Sequence, residues 1–327
     1  MSQKGPQIIF GTASIGYGSL AEEDAVRKFL QVASENGIKH LDTAASYPTE
    51  EATGITEILL GKAKSGAWTI DTRVAISRDL RGALTPQAVE KSLDISLEKL
   101  HQDSVNVLSA HMPDPATPLE DQARAFDDQF KKGKFKKLGL CNWPLSMIEK
   151  YIEICNAKGY VKPTVAQYMY NYIWRGTGTK ILSFLRDHDM VLHAYSPLAG
   201  GFLTGKPTDG DTAGTRYGEQ THPLSIYKFI YDKEPFHKAV KDISDLVASG
   251  AVEGPADVAI RWLYYHSRLQ PQDAIIVGGS TVEHFERNMA IIKRGPLSEE
   301  VLETLKGLEV DEAGMGDGNV FGSVFEA

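Results

Sequence analysis

An acid and a phenol stand five residues apart in the stretch GIKHLDTAASYP, residues 37–48. Ile38–Leu41 reads as a buried strand running into a polar turn. Asp42 falls where that strand ends, and Tyr47 lies in the loop beyond it. A carboxylate at a strand terminus can hold a cation or a proton, and a nearby phenol can give a proton away. Helix or turn capping by Asp42 and surface packing by Tyr47 are the structural alternatives. Further along, other polar side chains close apolar runs: Arg78, His111, Cys141 with Asn142, Gln167, Tyr195 with Ser196, and Ser280. Each has a packing explanation by itself, and together they describe one rim.

That rim needs elements to position it. Strand candidates are Ile8–Gly11, Lys39–Asp42, Arg73–Ser77, Val105–Ala110, Lys137–Cys141, Val165–Gln167, Val191–Tyr195 and Ala274–Val277. Helical patterns over Glu22–Asn36, Glu51–Lys64, Pro86–Leu100, Leu119–Lys132, Pro144–Lys158, Thr179–His188 and Val282–Ile292 separate most of them. Several of these end at glycine, and Pro86 opens its helix in the first turn. Alternating strands and helices imply parallel pairing with right-handed crossovers. Eight such units predict an α/β fold, a closed (β/α)8 TIM barrel in a single domain spanning 1–327, with the active site at the C-terminal strand ends. The rival open doubly wound sheet lacks its G-x-G-x-x-G turn here. The Gly200–Pro235 segment reads as a long functional loop, and the tail over 310–327 as a piece that folds over the mouth or frays.

Composition narrows the class. With 42% hydrophobic and 24% charged residues the chain is globular. A net charge of −8 speaks against nucleic acid as a general partner. Two cysteines, Cys141 and Cys155, make no disulfide framework and fit a reducing compartment. No secretory pattern opens the chain and no long apolar run suggests a membrane span, so a cytoplasmic protein is expected. No metal-ligand spacing, G-x-S-x-G elbow or P-loop occurs.

The chain resembles the aldo-keto reductase superfamily, and within it the aflatoxin-aldehyde-reductase-like branch. The resemblance runs from about Ile8 to Leu308. It is carried by HLDTAASYP at 40–48, AHMPDPATPLED at 110–121, GKFKKLGLCNW at 133–143, PTVAQYMYN at 163–171, AYSPLAGGFLTGK at 194–206 and AIIVGGSTVEHFERN at 274–288. It implies NADPH-dependent reduction of an aldehyde or ketone, with Tyr47 as proton donor, His111 orienting the carbonyl and Asp42 as the carboxylate partner of a cation. The family's cation is a lysine at the end of the third strand. RVAISRDL at 73–80 puts Arg78 in that place, a residue that stays protonated and relays no proton. Two alternatives follow: a non-redox enzyme on the same barrel (dehydratase, cyclase or isomerase), or a non-catalytic cofactor-sensing or partner-binding protein.

For NADPH the resemblance implies a set of contacts. Asn142 and Gln167 would hold the nicotinamide carboxamide, with Cys141 where serine is usual, and Tyr195 would stack beneath the ring. Ser196, Leu198, Gly200 and Lys206 would wrap the pyrophosphate, with Arg216 clamping from above. Ser280, Thr281, His284 and Asn288 would take the 2′-phosphate and adenine, with Arg287 as a further cation. Trp143, Tyr170, Trp174 and Tyr217 are placed to shape a pocket for a hydrophobic or aromatic carbonyl substrate.

Overall fold

The computed structural model describes residues 5–49, 52–64, 66–76, 80–218, 226–248 and 250–306. Eight parallel strands close into one barrel: β1 (Gln7–Gly11), β2 (His40–Asp42), β3 (Thr69–Arg73), β4 (Val105–Ala110), β5 (Phe135–Cys141), β6 (Pro163–Met169), β7 (Val191–Tyr195) and β8 (Ala274–Val277). β1 closes the ring on β8 with Ile8 opposite Ile275 and Phe10 opposite Val277. Helices follow the strands: α1 (Glu23–Glu35), α2 (Ile55–Ala63), α3 (Pro86–Leu100), α4 (Leu119–Lys131), α5 (Leu145–Lys158) and α6 (Lys180–Asp187). α7 (Ile226–Tyr231), α8 (Glu234–Ala248) and α9 (Pro255–Arg261) come between β7 and β8. α10 (Val282–Lys293) and α11 (Glu299–Lys306) come after β8.

Successive strand residues face opposite sides. The outward set, including Phe10, Leu41, Ile70, Leu108 and Leu192, is buried under the helices. Phe10, Phe29 and Phe285 meet edge to face at 4.6–5.5 Å and tie β1 to α1 and α10. α3 shows how its sequence sets its ends. Thr85 accepts the Ala88 amide at the N-cap, Pro86 occupies the first turn, and His101 closes the helix in the left-handed region. Where α2 crosses α3, a Cβ on Gly61 would stand 2.0 Å from the Lys99 carbonyl oxygen. Because that obstacle is backbone, Gly61→Ala is expected to lower stability by roughly 1–3 kcal/mol, read as a fall in denaturation midpoint at constant slope.

Two expectations are corrected. The third strand is Thr69–Arg73, not Arg73–Ser77. Its register is set by His40 opposite Thr69 and Asp42 opposite Asp71 on one side, and by Arg73 opposite Ser109 on the other. Gly200–Pro235 is not one loop. It holds a 3-10 segment at Ala199–Thr204, with Gly200 and Gly201 at positive φ, then α7 and the start of α8. Its Phe202, Leu203, Tyr217, Ile230 and Tyr231 form a second apolar cluster with Tyr172 and Trp174. The tail over 310–327 lies outside the described residues. Among those described, no helix is long and apolar enough to cross a membrane.

Candidate active site

Side chains two apart on a strand share a face. Asp42 ends β2, Arg73 ends β3, and both are buried at the barrel mouth. Asp42 is anchored through its own carbonyl, which accepts from the Thr12 amide at 3.1 Å and the Thr12 hydroxyl at 2.9 Å. Arg73 is the hub. Its Nη1 donates to the Thr43 carbonyl at 2.8 Å and to the Tyr47 hydroxyl at 3.2 Å. Its Nη2 donates to Asp42 Oδ2 and, at 2.7 Å, to Gln167 Oε1. Gln167 Nε2 donates in turn to Asp42 Oδ1 at 2.9 Å. Burial works against the guanidinium charge, and Asp42 more than compensates, holding Arg73 protonated at any working pH.

A guanidinium has no acceptor, so the Tyr47 oxygen must accept from it. The phenol's own O–H is then left to point elsewhere. Burial raises the Tyr47 pKa, with Arg73 pulling the other way. The His111 ring stands edge-on to Tyr47, centroids 6.0 Å apart. Burial and then Arg73 push that imidazole down to about 3, so it is neutral. Its Nδ1 is buried without a hydrogen-bond partner. A proton donor, a neutral imidazole and a fixed cation therefore converge at one end of the barrel, an arrangement suited to protonating an oxygen.

Beside them lies a second set of polar side chains. Asn142, in the left-handed region just past β5, accepts from the Tyr195 hydroxyl at 2.9 Å, and its Nδ2 lies 3.6 Å from Met112 Sδ. Cys141 is buried below, its thiol pushed up to about 11 chiefly by burial. Ser196, also at positive φ, shares a 2.6 Å hydrogen bond with the Tyr227 hydroxyl. The Tyr227 ring covers Gly200 so closely that a Cβ there would be 2.5 Å away. Arg216 lies 5.3 Å over that ring. Leu198 leads into the 3-10 segment, and Lys206 beyond it pairs with Asp211 at 3.2 Å. At α10, Thr281 caps the helix by accepting the His284 amide, and Ser280 Oγ lies 2.9 Å from His284 Nδ1. Asn288 Nδ2 donates to the Gly278 carbonyl at 3.0 Å. Burial, then Arg287 and Lys206, lower the His284 pKa. Two hydroxyls and two cations around a helix N-terminus are a donor set that fits a phosphate.

Two open grooves elsewhere, about 350 Å³ beside Lys62 and Lys99 and about 410 Å³ beside Lys137 and Lys162, gather no such set. No group of three or more His, Cys, Asp or Glu suited to a metal occurs among the described residues.

The family model for the Aldo/keto reductase family matches residues 7–310. The chain belongs to the aldo/keto reductase family. Human aflatoxin B1 aldehyde reductase member 2 is 33% identical over 311 residues, 90% of this chain and 84% of that protein. Human aldo-keto reductase family 7 member A3 is 32% identical over 318 residues, 93% of each chain. Oxidoreductase sirO of Leptosphaeria maculans is 30% identical over 314 residues, again 93% of each.

In this aldo/keto reductase the cation facing Asp42 and Tyr47 is Arg73. Arg78, the expected partner, lies outside the described residues, and the strand that was to carry it ends at Arg73. Gln167 meets Arg73 through its amide oxygen and Asp42 through its amide nitrogen. Tyr227 was not anticipated at all. Arg73 did leave a signal: Asp71 and Arg73, two apart, are both polar within a strand that the barrel must bury.

Proposed function

We propose that this protein reduces an aldehyde or ketone to the alcohol with NADPH, Tyr47 giving the proton. The observation that carries the reading is the Arg73–Tyr47 contact, which makes the phenol oxygen an acceptor and leaves its O–H for a substrate oxygen. NADPH, when bound, would supply the hydride. As the phenol releases its proton, Arg73 stabilises the developing phenolate, and Asp42 and Gln167 keep the guanidinium in place. His111, neutral and with an unpartnered Nδ1, orients the carbonyl oxygen.

Asn142 and Tyr195 would hold the nicotinamide, and Ser196, Leu198, Gly200, Lys206 and Arg216 the pyrophosphate. Ser280, Thr281, His284, Arg287 and Asn288 would take the phosphorylated adenosine. The proposed substrate is a hydrophobic or aromatic carbonyl compound; Trp174 and Tyr217 are packed in the second apolar cluster. Both cysteines are buried and unpaired, in keeping with a cytoplasmic setting.

The test is to mix the protein with NADPH and a panel of aldehydes and quinones, following loss of the reduced-nicotinamide absorbance. Cofactor binding without turnover of any carbonyl would end the reductase reading. Arg287→Ala is expected to raise the KM for NADPH about tenfold or more and to leave that for NADH unchanged, the loss of one charge-assisted phosphate contact. Equal effects on both cofactors would move the 2′-phosphate site elsewhere.

A further inference from the structure

Beneath the mouth, this barrel is ionic again. The residues two before Asp42, Arg73 and Tyr195 are His40, Asp71 and His193, so β2, β3 and β7 send three more ionisable side chains inward, one layer nearer the floor. Barrel interiors are ordinarily filled by branched apolar layers. Asp71 and His193 are buried, while the His40 side chain is 20% exposed. Asn106 Nδ2 donates to Asp71 Oδ1 at 2.7 Å. Asp71 Oδ2 lies 2.8 Å from His40 Nε2 and 3.7 Å from His193 Nδ1. The two imidazoles stand edge to face at 6.3 Å. The His40–Asp71 approach is close but off the line of a hydrogen bond, so neither atom is satisfied by one.

Four charged or titratable groups face His193: Asp71 from β3, Asp42 and His40 from β2, and Lys137 from β5. The two carboxylates favour a charged ring, and His40 and Lys137 oppose it. Burial is the largest influence and lowers the ring's pKa below that of an ordinary imidazole. Asp42 is therefore within electrostatic reach of two groups, Arg73 at the mouth and His193 below.

We propose that neutral His193 is a positioning residue for the Asp42–Arg73–Tyr47 arrangement, and that a proton taken up on its ring competes with Arg73 for Asp42 and switches the site off from beneath. This rests on the reductase reading of the mouth. One proton is added and no covalent bond to carbon changes. The site works with the ring neutral and fails with it charged.

The test is the pH profile of kcat/KM, joined to an NMR titration of the His193 ring in the cofactor-free protein. Wild type is expected to lose about tenfold per pH unit below a single inflection on the acid side of ordinary histidine. Asp71→Asn removes a charge that favours the imidazolium, so the inflection moves to lower pH. His40→Gln removes an opposing charge, so it moves to higher pH. His193→Gln abolishes this inflection, whatever its rate at neutral pH, and leaves only the later fall from His111, whose imidazole is pushed down to about 3. Should His193→Gln fail to fold, the opposite shifts of the other two variants decide. An acid limb unchanged in all the variants overturns the proposal, as does a His193 titration that leaves the Arg73 side-chain signals unmoved. Turnover of no carbonyl at any pH, with Arg73 signals following the ring titration, would defeat the reductase reading alone.

Discussion

Tyr47→Phe is expected to lower kcat for carbonyl reduction by about a hundred- to ten-thousandfold, the range for loss of a positioned general acid. Phenylalanine keeps the ring and its edge contact with His111, and removes only the hydroxyl. Arg73 Nη1 loses one acceptor but retains the Thr43 carbonyl, so the guanidinium stays held by Asp42 and Gln167. The dissociation constant of the reduced cofactor should therefore move by no more than about twofold. Loss in kcat without loss of binding is what removal of an interaction made only in the transition state produces. A variant retaining more than about a tenth of the wild-type rate would show that another group, or water, delivers the proton. Burial raises the Tyr47 pKa, so the protonated donor persists to higher pH than an ordinary phenol would. Reduction should accordingly show no loss of this acid across the neutral range.

The parts of this site that the sequence showed plainly are those where chemistry follows directly on a clean apolar run. Asp42 and Tyr47 sit on one strand and its turn, and His111 follows the buried run Val105–Ala110, whose bounds in the structure are those read from the chain. α3 was legible because its cap, its first-turn proline and its length all agree. Arg73 was not, and the reason is physical. An interior lined by Asp71, Arg73 and His193 inverts the usual meaning of a polar residue in a strand. The apolar Val74–Ile76 then looks like the better strand, although pairing with β2 and β4 fixes the true one four residues earlier. The helices α7 and α8 were hidden for a different reason. Gly, Thr and Asp dominate the approach to them, and the cluster that their apolar residues join reaches as far back in the chain as Tyr172 and Trp174.

The second large effect concerns the pair that this inversion buries. Arg73→Met is expected to destabilise the fold by roughly 3–5 kcal/mol, because it leaves the buried Asp42 carboxylate with the Gln167 amide as its remaining side-chain hydrogen bond. The loss is mostly the penalty of an uncompensated charge, so Asp42→Asn in the same chain should restore much of it, and the double-mutant cycle isolates the pair. Arg73→Lys separates charge from shape. An ammonium keeps the charge, but its three donors at a single atom cannot serve Thr43, Tyr47, Asp42 and Gln167 as the planar fork does. Stability should return most of the way, and the Gln167 carbonyl, released from Arg73, becomes free to meet a ligand amide. If Arg73→Met instead shifts the denaturation midpoint by the equivalent of less than about 1 kcal/mol, the pair behaves as a solvated one. The guanidinium would then not be what keeps the phenol in place.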